Sequence, residues 1–398
     1  MLGQAEFFVA VQKRCFGLEA VLSNKLYKVT LCSLVLAIFV PITAFGPQPI
    51  KPIGDEKCLV CHEKQKSYLS TAHHFTSRPA TKESIAGKFG EGKNIVQTSE
   101  PDLHYRMEAR ADGFFQTAMM EGIPTISKRF DLVIGSGRKG QTYLYWDKND
   151  QLYQLPVSFW TALDTWVHSP GYDDRVVNFS RPVLPRCLEC HASSFEDLRD
   201  SSIGNRYNRS NYVLGISCEK CHGPGQEHIN LQNDKTRKPS DQLIVNTAKL
   251  SRERQISLCA LCHGGLGVAK APAFSYTAGK DLEDYLHLQA PGPNDAVDVH
   301  GNQVALLERS RCYQASNMTC STCHDVHVPQ RDPAAFAGRC LTCHKVQSCR
   351  LFRKSGDRIA GKCVDCHMPN QTSNVIFSTH EGVQIRPKVR THWIKVYH

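Results

Sequence analysis

The sequence predicts a mainly α-helical chain with little regular structure, broken by one small antiparallel β insert. Two observations lead there. A five-residue motif, Cys-x-x-Cys-His, recurs seven times at uneven intervals of 129, 31, 41, 61, 20 and 23 residues. Within the long first interval alone, apolar and polar residues alternate between turn dipeptides, as half-buried strands require.

The motifs are Cys58/Cys61/His62, Cys187/Cys190/His191, Cys218/Cys221/His222, Cys259/Cys262/His263, Cys320/Cys323/His324, Cys340/Cys343/His344 and Cys363/Cys366/His367. Two thiols separated by two residues reach the two vinyl groups of one haem as thioethers, and the adjacent His then ligates the iron. Chance at this composition supplies roughly 0.04 copies. Zinc sites use Cys-x-x-Cys without demanding His after every second Cys, and thioredoxin-like pairs do not come in sevens. Seven covalently bound c-type haems (heme c) are the reading. With so few residues per haem the cofactors become the core, and short helices and loops wrap them. That is a multihaem cytochrome c fold.

Taken in order, residues 1–46 read as a signal peptide or an N-terminal anchor. An apolar run at 29–40 follows Lys25 and Lys28, and Ala44 and Gly46 follow Pro41. The run is short for a membrane span. The first 20 residues are surplus to such a signal, so translation starting near Val21 is one expectation. Cys15 and Cys32 fall here, and Val29-Thr30-Leu31-Cys32 matches a lipoprotein box poorly.

Residues 47–265 form a four-haem part. A helix is expected from Glu63 to His73. A β meander spans about 100–160, with strands at 103–118 (turning at Asp112-Gly113), 130–135, 141–147 and 152–157. Its expected role is to cover the haems. Residues 266–398 form a three-haem part, joined through a Gly-, Ala- and Pro-rich loop at 264–297; 233–241 is a second loop.

The chain has 18 Cys and 18 His. Beyond the motifs and the leader, Cys312 and Cys349 remain, either as a disulfide or as two buried thiols. Eleven spare His exceed the seven distal ligands a fully low-spin protein needs. His73, His228, His300, His327 and His392 are the candidates. His327 lies three residues after His324 and so serves a neighbouring iron or none. His104, His287 and His380 are weaker, His168 and His398 weakest. The formal charge of +10 counts no cofactor; haem propionates and ferric irons bring the mature chain to roughly +1. No basic run interleaved with aromatics supports nucleic-acid binding.

Cys58-Leu-Val-Cys-His through Ser70-Thr-Ala-His73, Cys187-Leu-Glu-Cys-His-Ala, and Gly215-Ile-Ser-Cys-Glu-Lys-Cys-His-Gly-Pro-Gly followed by His228 resemble the cytochrome c-554 family over roughly 58–263. Cys363-Val-Asp-Cys-His-Met-Pro is similar to larger multihaem relatives. The resemblance implies closely packed haem pairs, His228 on the first haem, His73 on the third, and no distal protein ligand on the second. The chain departs by three extra haems and the β insert. It also lacks a His before Cys259, which leaves His287 or His300 for the fourth haem.

Two functions follow. One is an electron carrier, periplasmic or extracellular, with every iron closed by two His. The other is an oxidoreductase acting on a small nitrogen or sulfur compound at one open haem, the Cys187/Cys190/His191 haem by resemblance. The absence of Cys-x-x-Cys-Lys tells against the pentahaem nitrite reductases. Expected partners are redox proteins, a membrane quinol-oxidising complex among them. A small-molecule substrate belongs only to the second reading.

Overall fold

The long interval between the first two motifs folds as two packed sheets that are larger than the expected meander. The computed structural model describes residues 52–198, 203–234, 236, 243–289, 297 and 301–397. The leader reading, the Val21 start, Cys15, Cys32, His300 and His398 lie outside these residues, as does most of the 233–241 loop.

The strands are β1 (Ser77–Pro79), β2 (Ile95–Gln97), β3 (Leu103–Arg110), β4 (Gly113–Met120), β5 (Ile123–Arg129), β6 (Leu132–Ile134), β7 (Gly140–Trp146), β8 (Leu152–Gln154), β9 (Val157–Trp160), β10 (Thr165–His168) and β11 (Arg181–Pro182). One sheet runs β2-β3-β4-β5. The other has seven strands, β1-β6-β7-β8-β11 with β9 also on β7 and β10 on β9. All these pairings are antiparallel. Glu121 and Gly122, at φ 52° and 77°, make the two-residue turn between β4 and β5, whose twist matches the strands it joins.

Tyr105, Met107, Phe130, Tyr143, Val157 and Trp166 fill the space between the sheets. The buried Gln116 crosses it: its amide donates to the Val157 carbonyl at 3.2 Å and accepts from the Val157 N–H at 2.9 Å. Side-chain amide and strand backbone thus satisfy each other where water is excluded. The other face of the seven-stranded sheet carries a second core, in which Leu132, Leu144 and Leu152 meet Val183, Leu188, Phe195 and Tyr207. Leu188 belongs to the second motif, so the insert supports that site directly.

The motifs themselves occupy single turns. Helices α1 (Asp55–Leu59), α2 (Pro185–Glu189), α3 (Cys218–His222) and, near the end of the chain, Cys363–His367 each have five residues. α4 (Gln226–Asn233) and α5 (Arg252–His263) are longer, and α5 carries the fourth motif with Ser251 as its cap, accepting from the Arg254 N–H. The hairpin β12 (Ala192–Asp197) and β13 (Tyr207–Leu214) joins the second motif to the third.

The expectation of a mainly α fold is therefore corrected: helix and strand are equally represented, at 27% each. The spacing of two thioethers asks for one helical turn and no more, and the chain between motifs finds its backbone hydrogen bonds in hairpins. Four smaller corrections follow. The Glu63–His73 helix is a 3-10 helix ending at Ser70. The 152–157 strand breaks at Leu155-Pro156 into β8 and β9. The 264–297 loop contains the hairpin β14 (Gly267–Ala269) and β15 (Leu286–Leu288). Cys312 and Cys349 are unbonded half-buried thiols, so the disulfide is not made.

The C-terminal part contributes α6 (Gln303–Glu308), α7 (Arg311–Gln314), α8 (Pro333–Cys340), α9 (Phe352–Ser355) and α10 (Cys363–His367). Two small sheets follow, β16 (Asn370–Thr372) with β19 (Lys388–Arg390) and β17 (Ser378–His380) with β18 (Val383–Ile385). β17 packs on β10 of the insert, and Lys139 donates to the Lys388 carbonyl at 3.1 Å. The described residues belong to one compact unit. Among them no helix is long and apolar enough to cross a membrane.

Candidate haem-binding site

All seven motifs line one cavity of about 3710 Å³. Shared seven ways this is about 530 Å³ each, within the range of roughly 300–1,000 Å³ that holds one cofactor. Eleven His line it: the seven motif His plus His73, His228, His327 and His392.

Eight of these eleven meet in pairs. The ring centroids of His62 and His228 lie 6.4 Å apart, those of His222 and His327 6.2 Å, those of His324 and His392 6.2 Å, and those of His73 and His263 6.0 Å. Two imidazoles on opposite faces of one iron, each with a metal–nitrogen bond of about 2.0 Å, place their centroids about 6 Å apart. A van der Waals stack would be closer. The pairs thus have the separation that a six-coordinate iron between them demands.

The outer hydrogen bonds fit as well. His222 Nδ1 lies 2.9 Å from the Val245 carbonyl, and His367 Nδ1 lies 2.9 Å from the Lys395 carbonyl. Gln303 and His263 both line the cavity. A ring that donates through Nδ1 presents Nε2 to a metal in a fixed orientation. Burial, with His263 and His324 nearby, pushes His73 down to about 4; burial, with His324 nearby, does the same to His392. Both rings stay neutral, with a lone pair to give.

The charge balance points to the same cofactor. Fourteen Lys and Arg line the cavity against two acids, Asp55 and Asp325. Each haem would bring two propionates, which this lining would complement. Among the described residues no three His, Cys, Asp or Glu side chains converge as a bare ion would require.

Of the two pairings implied by resemblance, His228 does lie against His62 of the first motif, but the other differs. His73 lies against His263 of the fourth motif, not against the third. The third motif's His222 meets His327, from the C-terminal part. His287 sits on β15, outside the cavity, with Nδ1 2.9 Å from Glu283 Oε1. His104 is on β3, His168 is buried in the insert against the Gln97 carbonyl, and His380 is on β17.

Local contacts hold the distal rings in place. Ser67 donates to the His327 carbonyl at 2.9 Å. The Ser310 hydroxyl donates to the His392 carbonyl at 3.2 Å and accepts from the Ile394 N–H at 2.8 Å. Thr76 and Ser77 donate to the His191 carbonyl at 2.8 and 2.6 Å. Asp55, buried beneath the first motif, accepts from the Cys218 N–H at 2.8 Å and lies 3.2 Å from His74 Nδ1.

Arg186 went unremarked in the sequence, although it precedes Cys187. Its Nη2 donates to the Leu261 carbonyl at 2.7 Å, inside the fourth motif. Its Nη1 contacts Cys190 Sγ at 3.3 Å and the buried Glu189 at 2.9 Å. It clamps motif two to motif four.

Motif neighbours are out of sequence order. Cys58 contacts Cys218, Cys190 contacts Cys262, and Cys259 contacts Cys320. Cys221 lies near Cys259, and Cys340 near both Cys323 and Cys363. The motifs therefore run one, three, four, five, six, seven, with two branching from four.

Among known proteins, the chain is similar to multihaem cytochromes. A family model described as cytochrome c554 and c-prime matches residues 172–223, which hold motifs two and three. The C-type polyheme cytochrome OmcC of Geobacter sulfurreducens is 25% identical over 162 residues, 40% of this chain and 20% of that protein. The multiheme cytochrome MtrA of Shewanella baltica is 25% identical over 193 residues, 42% of this chain and 54% of that protein. The chain thus spans between a fifth and about half of the length of these relatives. Among solved structures, an undecaheme cytochrome from the S-layer of Carboxydothermus ferrireducens aligns over 88% of this chain and 53% of its own. Its TM-score is 0.40, with 17% identity.

Proposed function

We propose, from the premise that this chain is a multihaem c-type cytochrome, that it carries electrons through seven haems held at Cys58/Cys61, Cys187/Cys190, Cys218/Cys221, Cys259/Cys262, Cys320/Cys323, Cys340/Cys343 and Cys363/Cys366. The observation that supports this reading best is the set of four imidazole pairs in one cavity. Bound haem supplies the one-electron couple. The chain's own residues set its surroundings. His62 with His228, His222 with His327, His263 with His73 and His324 with His392 would close both faces of four irons, leaving electrons as the only traffic there. His191, His344 and His367 would be the proximal ligands of the other three. The cavity's cations would hold the propionates, and the buried neutral rings would exclude water from the irons.

Thioether attachment is made outside the cytoplasm, so the protein would work in the periplasm or beyond it, exchanging electrons with other redox proteins. The intact mass of exported protein tests the haem count: the chain plus seven haems is expected, and a smaller increment defeats the count. Low-temperature EPR with near-infrared magnetic circular dichroism tests the ligation. At least four bis-His low-spin haems are expected. A dominant high-spin signal that shifts on adding nitrite or nitric oxide would overturn the carrier reading in favour of an oxidoreductase.

A further inference from the structure

Motif seven ends the series of neighbouring motifs, and the segment that joins it to motif six is strongly basic. Arg350, Arg353, Lys354 and Arg358 fall within nine residues, with Asp357 as the only acid among them. All four cations are exposed. Arg353 and Lys354 sit on α9, and Arg358 on the 3-10 helix Gly356–Lys362 that packs against α9 and α8.

Most cations near the motifs, Arg350 among them, line the cavity; Arg353, Lys354 and Arg358 do not. None of the four forms an ion pair with a described residue, whereas Arg390 is paired with Asp365 at 2.9 Å. Arg358 makes only a bond of 3.4 Å to the Ser355 carbonyl. Leu351, 47% exposed, lies among them. Unpaired like charges on one short segment repel one another and cost stability in the isolated protein. Their cost is recovered when an opposite surface meets them.

We infer that this face, around Arg353, Lys354 and Arg358, is the docking surface for an acidic redox protein, through which electrons pass at the motif-seven end of the cavity. The inference rests on the electron-carrier reading. Charge complementarity selects an acidic partner, and the position at the end of the motif series selects a redox protein. A patch of this kind acts on the encounter rate, by roughly 10- to 1,000-fold, and its effect fades with salt. Each productive encounter moves one electron: the partner loses it, the cytochrome gains it, and no proton or bond is exchanged.

The test uses the full haem-loaded protein and the variant R353E/K354E/R358E, with R353Q/K354Q/R358Q as a milder second. Haem content and reduction by dithionite are measured first in all three, which examines the carrier reading separately. Reduced plant-type [2Fe–2S] ferredoxin, an acidic donor, then serves as the probe in stopped flow at low ionic strength. The wild type is expected to be reduced at least tenfold faster than the charge-reversed variant, with the neutral variant between them and the difference vanishing at high salt. Equal rates in all three would overturn the inference. So would salt-sensitive co-sedimentation with phosphatidylserine vesicles combined with unchanged ferredoxin rates, which would make the face a membrane contact instead.

Discussion

Asp55 shows how one buried residue ties two haem motifs together. Burial alone would push its carboxyl up. Hydrogen bonds from His74 and from the Cys218 N–H outweigh this and hold the group below its ordinary value. A lowered value in the fold means that the stabilisation is complete above the unfolded carboxyl's pKa and is lost as pH falls through the folded value. The wild type is therefore expected to lose stability below about pH 4, and D55N to lose that pH dependence while being less stable at pH 7. Denaturant titrations of both proteins from pH 3 to 7 check this, and parallel pH profiles would refute it. Residues of this class were invisible in the sequence. The motif Cys and His are fixed by covalent spacing and could be read directly. Asp55, Arg186 and Val245 matter only through what folding brings beside them.

The β sandwich is the element where reading and structure diverge most. β3 could be read because one of its faces is buried, so its residues alternate, and β6 and β7 because both their faces are covered, so they read as short apolar runs. β5 escaped, since Ile123 is 64% and Ile126 37% exposed and no pattern separates its faces. β1 and β11 contain proline and lie at sheet edges, where a missing N–H costs no ladder bond. Trp166 anchors the sandwich: it is 1% exposed, its indole N–H donates to the Lys88 carbonyl at 2.7 Å, and its ring fills the space beside Gly87. W166A is expected to destabilise the protein by about 3–5 kcal/mol. Because its core faces away from the cavity, the low-spin haem spectrum should persist below the new melting temperature. Calorimetry with absorbance detection measures both. A spectral change at low temperature would mean that the insert shapes the haem sites beyond the contacts at Leu188 and Ser77.

At the scale of the molecule, the four-haem and three-haem parts expected from motif spacing are joined through the cavity. His327 reaches back to His222, and His392 to His324. The distal candidates could be named from sequence, because spare His are few. Their partners could not, since ring pairing depends on how distant segments meet. Ending the chain after Arg390 removes His392. The expected product keeps its full haem mass, because attachment needs only the motifs, yet turns one low-spin haem high-spin. Mass spectrometry and EPR read the two effects separately, and an unchanged EPR spectrum would exclude His392 as a ligand.

The pairing of His392 with His324 also sets a clock. The two rings are 68 residues apart in the sequence, so the ring opposite His324 is made only after motifs six and seven have followed it. Until it arrives, the centre of the molecule cannot close. Thiols spread over more than three hundred residues stay reachable for that whole interval.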